Sequence, residues 1–168
     1  MNNLIWLDAN DEEKISQVAL LHEKLLNESP IPQFGRYFMK KFYYKKLISS
    51  NLIHCLFYLY RSKVAGFIVI TEYPGKFMIN GFFNHIFFLS YTFIRAIFKK
   101  PARILKILKL IMVGMKRKSA HANNKTSELL SIAVDRKYRK HRDAQSGLRI
   151  SHALFQGAAK FLKNNGNK

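Results

Sequence analysis

At 168 residues, with 48% of them apolar, the chain holds enough material for one domain with a real core and too little for two, and wholesale disorder is excluded. Its 29 Lys and Arg against 10 Asp and Glu give a formal charge of +19, a field that attracts polyanions: nucleic acid, anionic lipid or phosphorylated small molecules. The single cysteine, Cys55, excludes a disulfide framework within the chain and a thiolate-rich metal site, and favours a reducing, cytoplasmic setting.

Residues 4–7 are short and apolar and predict a first strand. No basic stretch opens the chain and Asp11, Glu12 and Glu13 follow, so no secretory leader is expected. Asn10 or Asp11 is placed to cap a helix whose first turn carries those acids. Ile15, Val18, Ala19, Leu21, Leu25 and Leu26 then recur at helical spacing to about residue 27. Pro30 and Pro32 break that helix. A second is predicted over residues 34–48, with Phe38, Phe42 and Leu47 on one side and Lys40, Lys41, Lys45 and Lys46 largely on the other. Residues 52–60 and 64–73 are β-rich runs around Arg61-Ser62-Lys63, which reads as an antiparallel hairpin with a tight polar turn. His54 and Cys55 adjoin on a strand, so they point to opposite faces and cannot make a nucleophile pair. Cys55 reads as a small buried hydrophobe.

Residues 76–118 do not fit the same sheet. No acid lies between Glu72 and Glu128, while Lys99, Lys100, Arg103, Lys106, Lys109, Lys116, Arg117 and Lys118 crowd one stretch. Asn84, His85 and Arg95 interrupt the apolar run 82–98, which falls short of a membrane-spanning length. Pro101 suits the first turn of a further helix over 102–115, with Ile104, Leu105, Leu108, Ile111 and Met112 facing one way. Helices lying on the domain are predicted, their apolar face toward the core or toward an anionic membrane surface. A polar linker over 119–126 follows.

Residues 129–134 form the clearest strand pattern of the chain. Residues 148–165 predict an amphipathic helix with Ile150, Ala153, Leu154, Ala158, Phe161 and Leu162 inward, stopped by Asn164-Asn165-Gly166. A strand–turn–helix junction of this kind offers main-chain N–H groups and a positive helix end to a phosphate. The run Glu128-Leu129-Leu130-Ser131-Ile132-Ala133-Val134-Asp135-Arg136-Lys137-Tyr138-Arg139 is very similar to the fourth strand and lead-in turn of the GNAT N-acetyltransferases. The segment from Ala159 to Gly166 is similar to the end of their next helix. The element order resembles the N-terminal two-thirds of that fold, and the aromatic, lysine-rich insertion resembles one carried by some bacterial members. The resemblance spans the chain from about residue 4 to residue 166.

It implies a single α/β (α+β) domain over residues 1–168: a GNAT-like mixed sheet with flanking helices, a helical insertion at 76–118, and no counterpart for the closing strand, helix and strand of that fold. The implied activity is transfer of acetyl from acetyl-CoA, a co-substrate used without a metal, to an amine on a small molecule or glycan. In the family the pyrophosphate rests on a loop of pattern Q/R-x-x-G-x-G/A. Read from Arg139, the loop is Arg139-Lys140-His141-Arg142-Asp143-Ala144, with Arg142 where the first glycine belongs. Counted back from Gly166, it falls instead on Ser146-Gly147-Leu148-Arg149-Ile150-Ser151, after an apparent insertion of about seven residues. Both registers depart from the motif, and a side chain at a glycine position obstructs a pyrophosphate, so activity stands or falls on this loop. The implied cofactor-binding set is Arg139, Lys140, His141, Arg142, Ala144, Ser146, Gly147, Arg149 and Ser151. Main-chain groups of Ile132, Ala133 and Val134 would pair with the pantetheine arm as an added strand does. Glu128 stands where some members place the carboxylate base that takes the ammonium proton.

The competing reading is a non-enzymatic peripheral protein held at the inner membrane face by the basic amphipathic helix over 102–118. Nucleic acid is the weaker third: no recognition motif is present, and the aromatics lie in apolar runs, so no specific nucleic-acid partner is expected. His121 and His141 lie in basic loops where simple exposure explains them, and scattered histidines with few carboxylates argue against a metal. An open edge on the fourth strand would favour pairing with another chain or aggregation, and a homodimer is one way to cover it.

Overall fold

Helix α1, Glu12–Leu25, starts where the Asp11 carboxylate accepts a hydrogen bond from the Lys14 amide at 2.9 Å, with Glu12 and Glu13 at the positive helix end. It buries Ile15, Val18, Ala19 and Leu21 as the periodicity predicts, and also His22, which that periodicity passes over. The computed structural model describes residues 3–74, 77–84 and 127–165. The predicted helix over 102–115, the membrane-binding stretch to residue 118, the linker 119–126 and most of the apolar run 82–98 lie outside the described residues.

A single turn, α2 (Pro30–Gln33), uses proline where a helix has no amide partner to lose. Helix α3 follows as Arg36–Phe38, a π-helical stretch Met39–Lys46 and a closing turn Leu47–Ser49. The wider i→i+5 turns bring three consecutive rings, Phe42, Tyr43 and Tyr44, into the core beside Met39. Lys45 and Lys41 reach back from α3 to the Glu12 carboxylate and hold its pKa down at about 2.

Among the described residues four strands make one sheet in chain order: β1 (Leu4–Trp6), β2 (His54–Tyr60), β3 (Lys63–Thr71) and β4 (Glu128–Val134). Every pairing is antiparallel, so the expected mixed sheet is corrected. A mixed sheet needs a parallel strand beyond β4, and among the described residues β3 is the only neighbour β4 has. The β2–β3 turn is tighter than expected. Lys63 already pairs with Tyr60, leaving Arg61 (φ 45°) and Ser62 (φ 64°) in the left-handed conformation that matches the twist of a two-residue hairpin.

The sheet has a helical layer on each face. Cys55, Phe57, Phe67 and Val69 pack against α1 and α3 to form the larger core, which also receives Phe77 from the short helix α4 (Phe77–Asn84). Leu56, Tyr58, Ile68 and Ile70 face the closing helix α5 (Ile150–Asn165) through Ile150, Leu154 and Ala158. Gly157 lets α5 lie close: a Cβ there would stand 2.7 Å from the Leu56 methyl. Among the described residues no helix is long and apolar enough to cross a membrane.

Candidate functional site

The register of β4 against β3 runs from Gly66 opposite Val134 to Val69 opposite Ser131, then jumps to Ile70 opposite Leu129. Leu130 is thus the extra residue of a β-bulge, a device that bends a strand and re-aims its side chains. Ser131 lies opposite Val69, a member of the larger core, and its hydroxyl is buried without a hydrogen-bond partner. Native structures satisfy nearly all such atoms.

Past Val134 the chain turns through a short 3₁₀ segment, Arg136–Tyr138. The Asp135 amide donates to Ala65 O at 2.8 Å, anchoring the turn to β3. Its carboxylate accepts from the Lys137 amide at 3.1 Å and from Lys24 Nζ at 3.0 Å. The first of these bonds, then the lysine on α1, hold its carboxyl below the usual carboxylate range. The same ion pair ties the end of α1 to the end of β4.

Residues 139–149 close on themselves. The Asp143 amide donates to Leu148 O at 2.7 Å, the Gly147 amide to Asp143 O at 2.9 Å, and Arg142 sits opposite Arg149. Asp143 is buried, and its carboxylate accepts from Tyr58 OH at 3.0 Å, the Ser146 amide at 2.9 Å and Ser146 Oγ at 2.8 Å. Burial alone would raise its pKa, but the bonds from Ser146 and Tyr58 outweigh it and hold the carboxyl below the usual range. Gly147 (φ 66°) has open space around it, so its backbone conformation in the turn accounts for the glycine.

Between these parts lies a cavity of about 370 Å³, lined by Leu25 and Leu26 from the end of α1, Ile132, Ala133 and Val134 from β4, and Arg139, Arg149 and Ser151. Its size suits a ligand cleft. Six of the residues expected to hold the cofactor meet there. Lys140, His141, Arg142, Ala144, Ser146 and Gly147 do not line it: the amides of Ser146 and Gly147 serve Asp143, and the Arg142 guanidinium donates to Gly147 O at 2.8 Å. In place of a glycine loop the amino end of α5 borders the cavity; its first amides have no acceptor within the helix, and that of Ile150 donates to His141 O at 3.4 Å. Arg149 precedes that end, and no acid stands in its first turn. Cations at a positive helix end repel it, and an anion in the cavity relieves both.

Glu128 stands at the far end of β4, opposite Thr71 and outside the cavity lining, roughly 13 Å along the strand from Ile132. Two cavity walls, Leu25 and Leu26, carry no functional signal in the sequence because they read as the apolar face of α1. Ser131 likewise sits inside an unbroken strand pattern. Among the described residues, no three His, Cys, Asp or Glu side chains converge as a metal-ligand set. Comparison with protein-family models, with curated proteins and with solved structures finds no match to this chain.

Proposed function

We propose that the domain binds acyl-CoA along the free edge of β4 and transfers its acetyl group to an amine on a small molecule or glycan. One observation carries the reading. Three separate elements place Arg139, Arg149, Ser151 and the main chain of Ile132, Ala133 and Val134 around one cavity at a helix amino end. Phosphate oxygens fit the two guanidiniums and the amino end of α5 at Ser151. An amide-bearing arm fits the side of β4 that no described strand pairs, where it would be bound as an added strand. The thioester supplies the acyl group. Glu128, beyond the bulge, would take the ammonium proton of the acceptor. The likeness of residues 128–139 to the GNAT strand and turn supports the same assignment, and the self-closed loop after Arg139 marks where this chain departs from it.

Calorimetric titration of the full chain with acetyl-CoA tests the proposal. Saturable heat is expected, and Arg139→Ala should weaken binding by about 10- to 100-fold, the worth of a charge-assisted hydrogen bond. Absent heat, or affinity unchanged in the variant, removes the assignment.

A further inference from the structure

Three rings from separate segments converge close in sequence to the cavity lining: Tyr138 precedes Arg139, and His141 O accepts from the amide of Ile150, which lies between Arg149 and Ser151. Tyr60 ends β2, Tyr138 ends the 3₁₀ turn and His141 lies in the self-closed loop. Their centroids are 5.1 Å (Tyr60–Tyr138), 5.1 Å (Tyr60–His141) and 5.6 Å (Tyr138–His141) apart. Arg61 lies over the Tyr60 ring at 5.5 Å. Both tyrosines are half-buried against the smaller core, which holds them in place, while His141 is exposed. Arg136, Lys137, Arg139 and Lys140, all exposed, flank Tyr138 along the chain, and Arg61 is exposed as well. The acids of this region are committed elsewhere: Asp135 to Lys24, Asp143 to Tyr58 and Ser146. Taken one by one along the chain these residues suggest nothing, since 78 positions separate Tyr60 from Tyr138.

Fixed rings beside unopposed cations are what a nucleobase with attached phosphate requires. The base stacks through its π face and the cations take the phosphate charge. Tyr138 adjoins Arg139, which lines the cavity, so base and phosphate would be held by neighbouring residues. We infer that Tyr60, Tyr138 and His141 form a stacking platform for the nucleobase of the ligand whose phosphates the cavity holds. The inference rests on the acyl-donor reading of the cavity and sharpens it. The donor is a nucleoside-linked thioester, not an acyl-phosphopantetheine carried on a protein, which has no base to stack.

The test titrates the full chain with CoA, 4′-phosphopantetheine, adenosine 3′,5′-bisphosphate and a short oligo(A). CoA is expected to bind about tenfold or more tightly than phosphopantetheine, and the bisphosphate to bind unaided. His141→Ala, at an exposed position that should leave folding intact, is expected to cost CoA and the bisphosphate about tenfold and to leave phosphopantetheine unaffected. Tyr60→Leu should do the same if its thermal melt stays cooperative. Equal binding of CoA and phosphopantetheine, or indifference to His141→Ala, overturns the platform while the cavity assignment stands. Failure of every ligand overturns both. Oligo(A) binding that is lost in His141→Ala, with no binding of CoA, overturns the donor assignment and moves the base to a nucleic-acid strand.

Discussion

Beneath α1 and α3, the sheet meets a layer in which His22 Nδ1 and Tyr44 OH lie 2.6 Å apart, walled in by Tyr43, Phe67 and Cys55. Burial drives this layer to neutrality: it lowers the His22 pKa to about 4 and raises those of Tyr43, Tyr44 and Cys55 above their ordinary values. Along the outer edge of β4 the situation is reversed. Leu129 is 44% exposed, the Ser131 hydroxyl has no partner, and the cations beyond Val134 face few acids. The first region pairs His22 Nδ1 with Tyr44 OH inside the core, away from any ligand. The second keeps unused hydrogen-bonding capacity and charge, at some cost in stability, which is the condition under which a ligand gains affinity.

The largest expected effect tests that contrast directly. Phe67→Ala, in the sealed layer, should cost about 3–5 kcal/mol in urea denaturation, whereas Leu129→Ala should stay within about 0.5 kcal/mol. Comparable losses would mean the two regions are not built differently.

A smaller effect concerns protons. The folded His22 pKa of about 4 lies below the unfolded 6.5, so the unfolded chain binds a proton that the folded chain refuses. Its contribution is complete above the unfolded value and drains away as pH falls toward the folded one. By pH 5 it amounts to a loss of about 2 kcal/mol. His22→Leu should lower stability at pH 7.5 yet flatten the decline between pH 7.5 and 5; an unaltered slope would show that His22 accepts its proton without unfolding.

Smallest of all, Ser131→Ala should raise stability by about 1 kcal/mol, because it removes a buried hydroxyl with no partner. A destabilised variant would reveal a bond to that hydroxyl and place β4 nearer the sealed layer in character.

Much of this was readable along the chain. Asp11 as a cap, the apolar faces of α1 and α5, and the β2–β3 pair all follow from local periodicity and turn chemistry. The π-helical stretch was not, since the alternation of Phe38, Phe42 and Leu47 with lysines fits an ordinary helix; only three aromatics in a row at 42–44 hint at wider turns. His22 was missed because a polar residue falls outside an apolar count. In the site, Ile132, Ala133, Val134, Arg139, Arg149 and Ser151 were named by the family resemblance, and periodicity located only the strand and helix ends on which they meet. The path of residues 140–147 was not. It depends on Asp143 meeting Tyr58 across 85 positions of sequence, a tertiary contact that no local pattern encodes.

The doubled position at Leu130 also limits what can lie beside β4. Among the described residues the register of β4 beyond the kink is unbroken over residues 131–134, about 13 Å of template, and Val134 O there already accepts from Arg139 Nε at 3.5 Å. A foreign polypeptide strand would lose alignment at the kink before gathering enough bonds to stay, so fibril-like stacking is deterred. A short flexible chain bearing one or two amides meets no such obstacle. The irregularity thus limits how long a partner strand can stay in register along this margin.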